Sequence, residues 1–166
     1  MLTLPYVVCD VFTDRPLAGN QLAVFTDGAA VPETLHLPLA REMNFSETVF
    51  VLPPDGDAEA RIRIFTPTRE LPFAGHPVLG SAIVIGAAAG VDRVRLETGA
   101  GTVPVTRSRS AAGLDSGWMR QPLPKITPFA EADALCDALG VGASALPVEL
   151  YDVGPRHVYV AATAPG

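Results

Sequence analysis

The sequence predicts an α+β domain in which a strongly curved, barrel-like mixed sheet wraps a central apolar helix. Three observations lead there. Residues 78–89 are apolar on every face, and a helix that is hydrophobic all round is usually a buried one. Short runs rich in β-branched and aromatic residues recur along the chain between Gly and Pro punctuation. These runs do not alternate strictly with helical segments, which disfavours a doubly wound parallel sheet.

The bulk properties agree with an ordinary folded domain. The chain has 166 residues, 48% of them hydrophobic, enough to bury a sizeable core. Its formal net charge is -6, and its Lys and Arg residues are scattered without forming a basic stripe. That argues against a nucleic acid or an anionic membrane surface as partner. A small anionic substrate is still compatible, because local backbone donors bind anions whatever the global charge. Cys9 and Cys136 stand far apart, in no metal-binding or redox spacing, and read as reduced core residues of a cytoplasmic protein. No signal peptide is visible at the N-terminus. The longest apolar stretch, Ala82 to Val91, is broken by Gly86 and Gly90 and is too short to span a bilayer.

Taken in order, Tyr6 to Phe12 reads as a buried strand and Asp14-Arg15-Pro16 as a turn. Gln21 to Phe25 is a second strand. Pro32 to Met43 has helical spacing in Leu35, Leu39 and Met43, with Pro32 at the first turn. Pro38 lacks a backbone donor and should kink this helix or shift its start. Glu47 to Leu52 is a strand closed by Pro53-Pro54, and Arg61 to Phe65 alternates as a half-exposed strand. Thr66 to Gly75 is a loop leading into the apolar helix. Arg93 to Glu97 and Gly101 to Arg107 form a hairpin through Thr98-Gly99-Ala100. Gly117 to Gln121 is a strand, and Glu131 to Leu139 is an amphipathic helix stopped by Gly140. Val148 to Val153 and His157 to Ala162 are two strands joined through Gly154-Pro155, after which Ala164-Pro165-Gly166 adds no closing element.

Two places could carry chemistry. In Asn44-Phe45-Ser46-Glu47-Thr48 a carboxylate stands at the mouth of an apolar strand, directly after a helix. Partial burial would suit Glu47 to proton transfer, and Ser46 could orient it. By residue type alone a solvated glutamate at a strand edge, or a cap, is the commoner case, since charged residues are mostly exposed. In Leu71-Pro72-Phe73-Ala74-Gly75-His76-Pro77 a loop runs into the start of the apolar helix. Gly75 permits close approach of a ligand, the free N–H groups and helix dipole suit a carboxylate, and His76 could donate a hydrogen bond or shuttle a proton. A plain helix start with a surface His76 fits the same residues. Gly99-Ala100-Gly101 lacks the third glycine of a dinucleotide loop and reads as a turn. No metal-spaced His/Cys set is present. His36 reads as a helix-surface residue, His157 as a strand residue near a turn, and Arg41-Glu42 as a solvated helix face. Asp10 inside the first strand needs a partner, either at an edge or in a loop.

Five segments together resemble the PhzF (phenazine-biosynthesis-like) family. They are Asp10-Val11-Phe12-Thr13, Gly19-Asn20-Gln21-Leu22-Ala23-Val24, Ala40 through Thr48, Ile64-Phe65-Thr66-Pro67, and Glu70 through Pro77. Each is weak alone; five in order and register are specific. The resemblance continues through Glu97-Thr98-Gly99-Ala100-Gly101 and Trp118-Met119 to Gly154-Pro155-Arg156-His157-Val158. It implies a fold similar to diaminopimelate epimerase, with two pseudo-symmetric domains and a site in the cleft between them. The chain is then expected to supply the N-terminal half, residues 1-150 forming the domain and 151-166 the crossover towards a second one.

The resemblance further implies a cofactor-independent, metal-free isomerase of a small cyclic carboxylate, like dihydro-3-hydroxyanthranilate. Glu47 and His76 match its catalytic positions, and Asn20, Ser46, Gly75 and His76 its substrate-binding ones. Epimerase relatives carry a catalytic cysteine in the central-helix loop. Cys9 and Cys136 lie elsewhere, so a two-thiol mechanism does not fit. Because family domains are pseudo-symmetric, a homodimer could rebuild the cleft. The competing expectations are a truncated, non-catalytic domain or small anion-binding module, and an interaction protein using an exposed apolar face.

Overall fold

A computed structural model describes residues 3–111, 113 and 115–162. They form two compact units, which meet in sequence at Gln121 and Pro122. The expected absence of a closing element at 164–166 falls outside the described residues.

The first unit is a curled sheet with a helix against each face. Strands β1 (Tyr6–Val11), β2 (Asn20–Phe25), β3 (Glu47–Leu52), β4 (Ala60–Phe65), β5 (Glu70–Leu71), β6 (Arg93–Thr98), β7 (Gly101–Arg109) and β8 (Asp115–Met119) make an eight-stranded sheet. Its order is β1-β2-β3-β4-β6-β7-β8, with β5 paired to β4. The β2–β3 and β4–β6 pairs are parallel and the others antiparallel, so the sheet is mixed. Helix α1 (Glu33–Met43) lies between β2 and β3 in sequence and α2 (Gly75–Ala89) between β5 and β6. The two parallel pairs are thus the two places where a helix intervenes, as parallel pairing requires a crossover.

The two-residue period of a strand sorts side chains between the helices. On β2, Phe25 joins the cluster under α1, together with Val31, Ala40, Phe50 and Phe65. Leu22, of opposite parity, lies against Gly80 of α2. On β3, Phe50 stacks on Phe25 with ring centroids 4.9 Å apart, and on His36 of α1 at 4.1 Å. Glu47 has the other parity and therefore falls on the α2 side.

Several expectations change. Strand β1 is an edge strand rather than a buried one: Tyr6, Val7 and Val8 are exposed because only β2 pairs with it. Cys9 is accordingly only half-buried, whereas Cys136 is buried; both are free thiols. Helix α1 starts after Pro32 as expected and runs through Pro38, which is exposed. His36 is buried, not on the surface, at 1% exposure. The buried stripe of α1 is His36 and Ala40 rather than Leu35, because the flat Phe50 ring accepts an imidazole face and Ala40 lets the sheet come close. The loop at 66–75 contains β5, held by a Thr66–Arg69 turn. Helix α2 begins at Gly75, three residues earlier than its apolar run, and is not buried all round: Ala87 to Ala89 are exposed.

Two glycines set the distance between α2 and the sheet. A Cβ on Gly80 would lie 2.7 Å from Leu22 Cδ2 and 2.9 Å from Val11 Cγ2. A Cβ on Gly117 of β8 would lie 2.7 Å from Leu79 Cδ1. At Gly80 a side chain would press on the buried Leu22 and Val11; at Gly117 the tip of Leu79 would have to shift.

The second unit is an antiparallel sheet of β9 (Lys125–Pro128), β10 (Glu149–Asp152) and β11 (Arg156–Tyr159), ordered β11-β10-β9, with helix α3 (Ala132–Leu139). The sequence anticipated α3 and the final pair of strands but not β9, whose two-proline surroundings mask its pattern. Gly140 ends α3 at φ 65°, the left-handed conformation in which a glycine is least strained.

Candidate active site

The site is assembled where three loops reach the same end of α2. Asn44 closes α1 in the left-handed conformation (φ 53°), its N–H donating to the Ala40 carbonyl, and delivers Ser46 and Glu47 to the start of β3. Asn20 opens β2 next door; the parallel register pairs Leu22 with Glu47. Gly75 and His76 open α2. No side chain caps this helix, so its first amides are not satisfied from within the helix.

The side chains form a continuous line. Ser46 Oγ donates to Asn20 Oδ1 at 2.9 Å. Asn20 Nδ2 stands 3.2 Å from His76 Nδ1. On the far side of the ring, His76 Nε2 is 3.3 Å from Glu47 Oε2. The His76 and Glu47 side chains are only 9% and 16% exposed. Both facing atoms are buried, and neither makes an aligned hydrogen bond to any described residue. Burial pushes His76 below the usual imidazole range, against the opposing pull of the Glu47 carboxylate and the Gln21 carbonyl. A neutral ring therefore faces the carboxylate.

The structure brings all five expected site residues to one place. Ser46 does not orient Glu47 as expected. It reaches Asn20 instead. Gly75 is half-buried, and a Cβ there would approach Met119 Cε to 3.3 Å. His76 is buried, not a surface residue. Phe12 was not anticipated. It sits in the left-handed region (φ 65°) just past β1, and its ring meets His76 edge-on at 6.4 Å. Nothing in the sequence signals it, since a bulky residue rarely adopts that conformation. Asp10 finds its partner in the following loop, accepting the Leu17 N–H at 2.8 Å. Among the described residues no group of three His, Cys, Asp or Glu is placed to hold a metal ion. No helix among them is long and apolar enough to cross a membrane.

A neighbouring cavity of about 440 Å³ opens between the two sheet edges, β1 and β8, over α2. Cys9, Phe12, Leu79, Ile83 and Asp115 are among its walls, but neither Glu47 nor His76 lines it. Phe12 is its link to the site.

A curled mixed sheet around a helix, with a carboxylate and an imidazole at that helix's start, defines an epimerase-like fold. A predicted epimerase from Pseudomonas aeruginosa superposes with a TM-score of 0.86 at 32% identity, covering 98% of this chain and 60% of that one. A hydroxyproline epimerase from Agrobacterium vitis shares the fold at 14% identity and a TM-score of 0.57, over 86% of this chain and 48% of that one. The family described as phenazine biosynthesis-like protein matches residues 9–164, and the chain belongs to it. The trans-2,3-dihydro-3-hydroxyanthranilate isomerase of Pseudomonas aeruginosa is 49% identical over 93% of this chain and 56% of its own length. The isomerase of the same name from Pseudomonas fluorescens is 46% identical, with the same coverage. The chain thus spans little more than half the length of these relatives.

Proposed function

We propose that this chain serves an isomerase that moves a proton between two carbons of a small cyclic carboxylate of the trans-2,3-dihydro-3-hydroxyanthranilate kind, without a cofactor. Glu47 is the general acid/base: it takes a proton from one carbon and returns it to another, so the reaction has no net change in atoms or charge. His76 holds the carboxylate through Nε2. The start of α2, with Gly75 at the point of closest approach, receives the anionic group of the substrate.

The observation that carries this reading is the buried Glu47–His76 pair, whose facing atoms have no other hydrogen-bonded partner among the described residues. A proton-transfer group is often poorly aligned until substrate binds. The relatives' shared name supplies the substrate class.

A second copy of the chain is proposed as the opposite wall of the site. Phe12, Leu17 and Trp118 leave 72%, 92% and 83% of their surfaces exposed, and Phe12 touches His76. Phe12 is the apolar surface beside the site, Leu17 and Trp118 are further exposed apolar residues of the chain, and such surface calls for a cover.

The test is deuterium uptake from heavy water into trans-2,3-dihydro-3-hydroxyanthranilate. Glu47→Gln should lower the exchange rate by about 10²–10⁴-fold while leaving the circular dichroism spectrum unchanged. His76→Ala should lower it less. An unaltered rate in Glu47→Gln removes the proposed role. Binding of substrate without any exchange would favour an anion-binding module instead.

A further inference from the structure

Two acceptors cannot face each other in a buried site without a proton between them. His76 Nε2 and Glu47 Oε2 do face each other, at 3.3 Å, both buried. One of them must carry hydrogen, and the rest of the line decides which. Asn20 Nδ2 is a donor only, and it points at His76 Nδ1. With the amide nitrogen so placed, Nδ1 is the bare, accepting nitrogen. In this orientation of the amide, Ser46 Oγ donates to Asn20 Oδ1 on the far side. A ring with both nitrogens protonated would be cationic, which burial opposes.

We infer that Asn20, held by Ser46, is a positioning residue that fixes His76 as the neutral Nε2–H tautomer, so that the ring offers a single donor to Glu47 Oε2. This differs from a role for Asn20 and Ser46 in touching substrate. It deepens the proposed function, since it names what faces the acid/base residue: a neutral imidazole N–H held towards Glu47 Oε2. The groups around the ring are Glu47 from β3, the Asn20 amide and Gln21 carbonyl from β2, and the Phe12 ring after β1. Glu47 is the one charged side chain among them.

The tautomer can be read directly, whether or not the chain turns over. The 166-residue protein, labelled with ¹⁵N, is examined by long-range proton–nitrogen correlation of its imidazoles at about pH 7.5, above the ordinary imidazole range. His36→Phe and His157→Gln assign the three rings. The expected pattern for His76 is one protonated nitrogen, Nε2, and one bare nitrogen, Nδ1.

Asn20→Asp keeps the size of the side chain but replaces the donor by an acceptor. Asn20 is exposed, so the fold should tolerate the change. In this variant Nδ1 should gain a proton. The His76 titration should also move up by about one pH unit or more, because a second carboxylate now faces the ring. Ser46→Ala frees the amide to turn and should give a mixture of the two neutral tautomers.

An Nδ1–H or doubly protonated His76 in the unaltered protein would overturn the inference. So would an unchanged His76 pattern in Asn20→Asp with a folded amide spectrum. If either result came with normal deuterium exchange, the proposed function would stand and only the assignment of Asn20 would fall. If the tautomer were as expected but Glu47→Gln exchanged normally, the reverse would hold.

Discussion

His36 shows how a single residue can be misjudged and why it matters. Its ring lies flat on Phe50 at 4.1 Å and edge-on to Phe65 at 5.5 Å, with neither nitrogen in an aligned hydrogen bond to a described residue. Burial, reinforced by the nearby Arg63 cation, pushes it below the usual imidazole range; the Gly28 and Val31 carbonyls only partly oppose this. His76 is lowered as well, first by burial. The sign of the consequence follows. Below about pH 6.5 the unfolded chain binds protons that the folded chain refuses. Stability should therefore fall as pH drops from about 7.5 to about 5.5, read as a lower urea midpoint. His36→Phe keeps the aromatic stack and removes one refused proton. Its midpoint should fall less over the same interval and be no lower at the upper pH. A steeper fall in the variant would contradict the buried neutral imidazole.

At the scale of elements, the fit of α2 into the curled sheet is the main constraint. Alanine at position 80 would be favoured by helix propensity, worth about 1 kcal/mol. The contacts at 2.7 and 2.9 Å oppose it, and overpacking costs about 1–3 kcal/mol. Gly80→Ala should thus lower stability in equilibrium unfolding by up to about 2 kcal/mol. The aromatic layer on the other face is the counterpart. Phe50 is fully buried between Phe25, His36 and Phe65, so Phe50→Ala should cost about 3–5 kcal/mol. Element types were well marked in the sequence. Glu47–Leu52 and the 93–107 hairpin were legible from their β-branched residues and turn glycine. The start of α2 was legible near His76 and Pro77, a first-turn proline being compatible with a helix start, but its bound at Gly75 was not marked by the apolar run that begins at Val78. Strand β5 has two residues, too few to show a period.

For the molecule as a whole, the open question is what faces the site. The exposed Phe12 beside His76 supports a second copy as cover, and Leu17 and Trp118 add exposed apolar surface elsewhere on the chain. Sedimentation at micromolar concentration should then show a dimer, and Trp118→Arg should shift it towards monomer without altering the unfolding free energy of the chain by more than about 0.5 kcal/mol. A monomer at every concentration would remove the homodimer and leave the exchange chemistry of Glu47 to be judged alone. The chain's match to 56% of the length of the isomerases makes that measurement the natural companion to the heavy-water assay.

The sequence by itself determined the class of fold, because the all-apolar run at 78–89 needs a sheet around it and the β-rich runs supply one. It also singled out Glu47, His76, Asn20, Ser46 and Gly75, through segments whose order resembles a known family. Tertiary structure alone decided how these residues meet. Strand parity turns Glu47 towards α2, the β2–β3 register sets Asn20 beside it, and burial keeps His76 neutral between them. None of these depends on local propensity. The hydrogen bonds that join them link residues 26 and 56 positions apart, and only the closed packing of helix on sheet brings these within reach.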